Sequence, residues 1–217
     1  GIDLIFPHHE NEIAQSEGAG KKFARYWIHH GLLTINGQKM SKSLGNFITV
    51  KDFLDKYKDA DLLKLLFLSA HYSHPIDYND NKIEETKQAL DRIYIFLNKA
   101  RTQLKQGSLK EIKEIQEIKT RFEGAMDDNF NTPEALASIF DLLKLANKNI
   151  EDLDFVYTAK ETLRHLYTAL GLSLKRISLA CTLTDQEIES MISSREQARL
   201  GKKYKLADDI RKDLEEK

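Results

Sequence analysis

Leu32-Leu33-Thr34-Ile35-Asn36-Gly37-Gln38-Lys39-Met40-Ser41-Lys42-Ser43-Leu44-Gly45-Asn46 is the stretch on which the reading of this chain turns. Trp27 to Ile35 is rich in strand formers, and Asn36-Gly37 is the strongest short hairpin signal, because a two-residue turn of the favoured hand needs left-handed backbone at both positions. A strand, a tight turn and Gln38-Lys39-Met40 therefore deliver a loop that carries two ammonium groups, Lys39 and Lys42, among the hydroxyls of Ser41 and Ser43. Such a loop suits closure on a polyphosphate. The lysines meet anionic oxygens, hydroxyls and free backbone N–H groups add directional donors, and Gly37 and Gly45 allow movement. A solvated Lys/Ser-rich turn has the same composition. Short mixed elements up to residue 48 fit the closing part of an α/β nucleotide-binding fold.

Upstream, Pro7 suits a helix first turn, and His8 to Ser16 reads as a short helix ended near Gly18 and Gly20. The apolar run Ile2, Leu4, Ile5, Phe6 reads as a strand or strand end. Downstream the pattern becomes helical almost without interruption. Thr49 caps a helix with Val50, Phe53, Leu54 and Tyr57, and Asp59 or Asp61 opens another with Leu62, Leu65, Leu66 and Leu68. Asn79 precedes a long run with Ile83, Leu90, Ile93 and Leu97, broken at Gln106-Gly107-Ser108. Ile112, Ile115, Ile118 and Phe122 form the next stripe. Thr132 caps a further helix with Pro133 at its first position, residues 155–170 form another stopped by Gly171, and Thr184 opens one with Glu187 placed for a capping box. Tyr204 to Lys217 is periodic as well. Both ends read as cuts in a longer polypeptide.

Composition bounds the function classes. The chain has 217 residues, 41% hydrophobic and 31% charged, with a formal net charge of −1. That balance suits a soluble, helix-rich protein and gives no bulk electrostatic support to nucleic-acid binding, so any such contact rests on local patches. No apolar run has membrane-spanning length, so no membrane partner is expected. The single cysteine, Cys181, excludes an internal disulfide, fits a reducing cytosol and reads as a small buried filler rather than a nucleophile. Arg195, Arg199, Lys202, Lys203, Lys205, Arg211 and Lys212 make the last stretch locally basic, which fits phosphate contact or solvated faces paired with Glu196, Asp208, Asp209 and Asp213.

His8 and Glu12 are spaced i, i+4, so on a helix they share a face. An imidazole nitrogen and a carboxylate oxygen so placed can share zinc, which takes both in tetrahedral geometry with sulfur usually completing the set. An acidic residue answering a helix dipole gives the same spacing. His9 and Glu10 point elsewhere and carry no metal role. One of His29 and His30 could line a pocket, and His71 and His74 flank Tyr72 in a turn ending at Pro75.

Lys39-Met40-Ser41-Lys42-Ser43 matches, without a substitution, the KMSKS signature of class I aminoacyl-tRNA synthetases. Gly1-Ile2-Asp3-Leu4-Ile5-Phe6-Pro7-His8-His9-Glu10-Asn11-Glu12 resembles the segment of the bacterial cysteinyl-tRNA synthetase family that carries two of four zinc ligands. Phe122-Glu123-Gly124-Ala125-Met126-Asp127-Asp128-Asn129-Phe130-Asn131-Thr132-Pro133-Glu134-Ala135 resembles that family's tRNA-binding helical domain. The resemblance runs along nearly the whole chain in the right order but covers about the second half of such an enzyme. The upstream half, with its HIGH motif and two zinc-binding cysteines, is not part of the sequence.

The resemblance implies a mainly α chain: a remnant of a class I α/β (Rossmann-like) catalytic domain over residues 1–48, stem-contact helices over 49–107, and an all-α anticodon-binding bundle over 108–217. It implies ATP-dependent activation of L-cysteine to cysteinyl-adenylate and transfer to tRNA(Cys), by a piece inactive alone. In that family the second motif lysine, Lys42, contacts ATP, Lys39 assists, Met40 anchors the loop, and Ser41 and Ser43 donate to phosphate or fix the turn. The family's histidine and glutamate ligands fall on His8 and Glu12, and Zn2+ there chooses thiolate over hydroxyl. Mg2+ accompanies ATP, with no carboxylate here named for it. The implied setting is a cytoplasmic monomer with no DNA partner. A non-catalytic tRNA-binding helical module and a ligase joining cysteine to a small amine are the other readings.

Overall fold

The computed structural model describes residues 1–103, 107–174, 185–201 and 203–216, which form two compact units, 1–175 and 176–217. Cys181, Thr184, Gln106 and Lys202, each given a role above, lie outside the described residues, as does the side chain of Lys212.

The first unit begins with a 3-10 turn over Ile2–Leu4, a bent helical stretch over Ile5–His9 and helix α1, Glu10–Gly18. The strand expected at Ile2–Phe6 is therefore corrected. An extended run needs a neighbour for its backbone groups. Here Ile2 N–H reaches His30 O (3.0 Å), whereas Leu4 N–H folds back to Gly1 O (3.1 Å). Phe6 alone is extended (φ −126°, ψ 132°), and the helix proper starts behind it at Pro7. It ends where expected, at Ala19 and left-handed Gly20 (φ +74°).

Strands β1 (Leu33–Ile35) and β2 (Gln38–Lys39) form the predicted antiparallel hairpin, with Asn36 and Gly37 both left-handed (φ +51° and +74°). Residues 27–32, expected to extend the strand, are irregular. The backbone partners there are scattered: His30 O accepts from Ile2 N–H (3.0 Å), Gly31 N–H donates to Tyr72 O (2.8 Å) and Leu32 O accepts from Ile76 N–H (3.0 Å). A third strand, β3 (Ile76–Tyr78), pairs parallel to β1, giving the order β2-β1-β3. Asp77 ties the sheet to its turn. Its Oδ1 accepts from Thr34 Oγ1 (2.6 Å) and Gly37 N–H (2.7 Å), its Oδ2 from Asn79 Nδ2 (2.7 Å). These donors, Thr34 foremost, hold its carboxyl below the usual value.

Between β1 and β3 lie α2 (Val50–Tyr57) and α3 (Ala60–Leu68). Thr49 caps α2 reciprocally with Asp52: Thr49 Oγ1 accepts from Asp52 N–H (3.0 Å) while the Asp52 carboxylate accepts from Thr49 N–H (2.9 Å). Asp59, not Asp61, caps α3, accepting from the amides of Asp61 and Leu62. Helices α4 (Asp80–Gln103), α5 (Lys113–Asp127), α6 (Thr132–Lys148) and α7 (Leu153–Ala169) complete the unit. The cap of α6 is Asn131, one residue before the expected Thr132. Asn131 Oδ1 accepts from Glu134 N–H (3.3 Å), and the Thr132 hydroxyl is turned to Ala70 O (3.4 Å). Gly171 (φ +73°) follows α7 as predicted.

The predicted stripes meet in one core. Phe53, Leu62, Leu65 and Leu66 of α2 and α3 join Ile83, Leu90 and Ile93 of α4, Ile115 and Phe122 of α5, and Ile139, Leu142, Val156 and Leu163 of α6 and α7. Each such side chain contributes about 1.5–3 kcal/mol through burial. The second unit comprises α8 (Asp185–Leu200) and α9 (Tyr204–Glu216), which pack together with Ala198 and Ala207 buried. The chain is mainly helical, as its periodicity implied.

Candidate active site

The hairpin hands the chain directly to the lysine loop. After β2, Met40 and Ser41 lead into a 3-10 turn at Lys42–Leu44, closed by left-handed Gly45 (φ +67°). No side chain could take that backbone without strain, so Gly45 is needed by the turn. Asn46 clamps the loop across its base: its Oδ1 accepts from Ser41 N–H (2.8 Å) and its Nδ2 donates to Lys39 O (3.1 Å). Ser41 and Ser43 share a hydroxyl–hydroxyl bond (2.7 Å). Lys42 is exposed, with its ammonium 5.4 Å from the centre of the Phe47 ring. The loop thus presents two exposed ammonium groups, Lys39 and Lys42, on a backbone held by one asparagine.

Lys39 and Met40 also line a cavity of about 500 Å3. Its other walls are His30 to Leu33 on one side and Phe67, Ala70, His71, Tyr72, His74 and Ile76 on the other. Of the two histidines after Trp27, His30 reaches this cavity, whereas His29 stacks on His9 (5.1 Å) and on Trp27 (6.0 Å). His9 and Trp27 are also in ring contact (5.6 Å). The Nδ1 atoms of His9 and His29 are buried without a partner. This stack fastens the start of α1 to the segment leading into the hairpin, so the His8 region and the lysine loop are joined through residues 27–31.

His8 and Glu12 stand one helical turn apart across the junction of the bent stretch and α1, both exposed. Neither lines the cavity, and neither do Ser41, Lys42 or Ser43. Among the described residues no group of three or more His, Cys, Asp or Glu side chains converges on one point. The pair offers one nitrogen and one oxygen donor, which fits half of a tetrahedral zinc set and no more.

Composition and spacing did not single out Asn46 as the clamp, Asp77 as the brace of the hairpin, or Phe67 and Ala70 as cavity wall. The Asn46 bonds span only five and seven residues, so an asparagine following a left-handed glycine was the available signal. The wall residues come from a separate helix and turn and left no local mark.

Comparison with known proteins decides the family. The family described as tRNA synthetases class I (C) catalytic domain matches residues 1–88, and the DALR domain family matches residues 121–175. A cysteine–tRNA ligase from Geobacter sulfurreducens is 43% identical over 237 residues, which takes in 99% of this chain and 49% of that protein. Those from Lachnospira eligens and Clostridioides difficile are 41% and 38% identical over 226 residues, again 99% of this chain, and 47% and 48% of their own lengths. The chain is a homologue of cysteine–tRNA ligases along nearly its whole length. It spans about half the length of the curated relatives it matches. Among solved structures, a ternary complex of the agnB2 LeuRS of Agrobacterium radiobacter K84 with tRNA and LeuAMS shares the fold. Its TM-score is 0.63 at 18% identity, covering 78% of this chain and 24% of the LeuRS chain. Relative to this family of synthetases, the catalytic-domain match contains the hairpin, the lysine loop and the His8/Glu12 pair, and the DALR match begins within α5 and ends past α7.

Proposed function

We propose that this chain is the part of a cysteine–tRNA ligase that supplies its ATP-closing loop, two ligands of its zinc and its tRNA-facing helices. The observation that carries the reading is the unbroken Lys39–Ser43 motif held on a hairpin and clamped by Asn46, in a chain about 40% identical to cysteine–tRNA ligases along nearly its whole length. When the cysteine carboxylate attacks the α-phosphate of ATP, charge grows on the phosphoryl oxygens and on departing pyrophosphate. Lys42, exposed and with its ammonium near the Phe47 ring face, can swing to that charge, with Lys39 assisting from the other end of the loop. The Ser41 and Ser43 hydroxyls, bonded to each other, stand ready to donate to phosphate oxygens.

His8 and Glu12 would hold Zn2+ together with two ligands from outside this chain. The metal's contribution, when bound, is to prefer a thiolate over a hydroxyl and so to select cysteine against serine. Mg2+ enters with ATP. The acyl group then passes to tRNA(Cys). Residues 1–48 belong to catalysis, 49–107 to stem contact and 108–217 to the anticodon side. No helix among the described residues is long and apolar enough to cross a membrane, and a cytoplasmic monomer that binds no DNA fits the reading.

The test is cysteine-dependent ATP–pyrophosphate exchange by a polypeptide of the relatives' full length that carries this chain, alongside its zinc content. Exchange with cysteine and not serine, lost together with zinc in His8→Ala and Glu12→Ala, supports the assignment. Exchange that survives zinc loss with its selectivity intact overturns the metal role, and pyrophosphate exchange without transfer to tRNA favours a small-amine ligase.

A further inference from the structure

The turn between α5 and α6 is strained and tied to the hairpin. Asn129 and Phe130 are consecutive non-glycine residues with left-handed backbone, both at φ +55°. That conformation is uncommon for any side chain and an outlier for a bulky one, so surrounding contacts must hold it. Two contacts do so at Asn129. Its carbonyl oxygen pairs with His71 Nε2 (3.1 Å), and its Oδ1 accepts from the Tyr72 hydroxyl (2.7 Å). A third bond runs alongside, from Thr132 Oγ1 to Ala70 O (3.4 Å). His71 is fixed on its other side by Ser73 Oγ (2.7 Å).

The far side of the 70–75 turn bears on the hairpin. Tyr72 O accepts from Gly31 N–H (2.8 Å). At Gly31 a Cβ would lie 2.2 Å from His74 O, so the two backbones are in contact with no room for a side chain. His71, Tyr72 and His74 face Lys39 and Met40 across the same cavity. Tyr72 therefore bonds the DALR turn through its hydroxyl and the hairpin arm through its carbonyl.

We propose that Asn129 is a positioning residue for the lysine loop: through Tyr72 and His71 it sets where Gly31, and with it the β1–β2 hairpin, presents Lys39 and Lys42. The proposal rests on the reading of that loop as the ATP-closing element. Asn129 touches no substrate. It acts by fixing one end of a chain of hydrogen bonds that ends at Gly31, from which the hairpin itself runs on to the lysines, and so it ties the helical half of the chain to the lysine loop.

The experiment measures cysteine-dependent ATP–pyrophosphate exchange in a polypeptide of the relatives' full length, with four variants. Tyr72→Phe removes only the hydroxyl, and Asn129→Gly removes the side chain while keeping a left-handed backbone available. Each is expected to lower kcat roughly three- to thirtyfold with the KM for cysteine unchanged, and the double variant to lose no more than the worse single one, because both break the same bond. Asp61→Asn, a change within the helical core away from this chain of bonds, is expected to lower the melting temperature and leave kcat in place. Lys42→Ala tests the underlying reading. Normal exchange in Lys42→Ala overturns that reading and the proposal with it. Impaired Lys42→Ala beside unaffected Tyr72→Phe and Asn129→Gly overturns the proposal alone, as does a kcat loss in Asp61→Asn equal to theirs, or additive losses in the double variant.

Discussion

The carboxylate of Asp61 accepts from both the amide and the hydroxyl of Ser173 (3.0 and 2.9 Å), 112 residues further along the chain. It also accepts from Leu174 N–H (2.7 Å) and Lys64 Nζ (3.2 Å), while Lys64 donates to Gly171 O (2.7 Å). Asp61 is 2% exposed. Burial pushes its carboxyl up, but these donors, Ser173 first, outweigh it and hold the group below its ordinary 3.8. One aspartate thus fastens α3 to the end of α7.

Removing that acceptor takes the shared partner from the Ser173, Leu174 and Lys64 donors. Asp61→Ala is expected to cost about 3 kcal/mol, read as a lower urea midpoint. The sign of the pH dependence follows from the lowered folded value. The contribution is complete above the ordinary carboxylate value and fades as pH falls through the folded one. The gap between the wild-type and Asp61→Asn midpoints should stay constant near neutrality and close in acid; a gap that widens in acid would contradict the assignment.

Gly31→Ala should destabilise the first unit by about 3 kcal/mol, because the obstruction is the His74 backbone rather than a side chain that can swing away. Gly18→Ala is the matched control. Nothing lies within 4 Å of its Cβ position, so its melting temperature should hold or rise slightly.

Asn46→Ala removes the acceptor of Ser41 N–H and the donor to Lys39 O while leaving both lysines in place. The expected result is a fall of roughly tenfold in the kcat of ATP–pyrophosphate exchange with little change in melting temperature. A large stability loss with normal exchange would make the clamp structural only.

Lys42→Ala should reduce kcat by about 10²–10³-fold with a smaller change in the KM for ATP, the mark of an interaction made in the transition state. Lys42→Arg should restore part of it, since the charge remains and the fork geometry differs. Lys39→Ala is expected to cost less.

Local chemistry was readable from sequence wherever the deciding atoms were neighbours. Thr49, Asp59, Gly171 and the Asn36-Gly37 turn each act within a few residues, and each stands where the residue order put it. The aliphatic stripes of α4 to α7 were legible for the same reason: helical period is a local property. What failed depended on distant partners. Ile2–Phe6 has the composition of a strand but no strand beside it, and Trp27 to Gly31 finds too few backbone partners to become one. The α6 cap moved to Asn131 because Thr132 is turned to Ala70, 62 residues earlier. The motif Lys39–Ser43 pointed at once to the class I relatives that the comparison found. The Asn129–Tyr72 bond, 57 residues apart, and the cavity wall at Phe67 to His74 left no signal that periodicity or capping could carry.

The parallel pairing of β1 with β3 has a kinetic consequence. Thr34 meets its partners 42 and 43 residues later, so the pairing must close a long loop before it gains any contact, and α2 and α3 lie inside that loop. The Asn36-Gly37 hairpin can form in isolation within microseconds, but it docks only after the two helices have condensed. Substitutions at Thr34 or Asp77 should therefore accelerate unfolding and barely slow refolding, whereas Leu65 and Leu66 should govern the refolding rate. The loop lysines would then reach their place only after α2 and α3 have packed, and would lose it whenever that pairing opens.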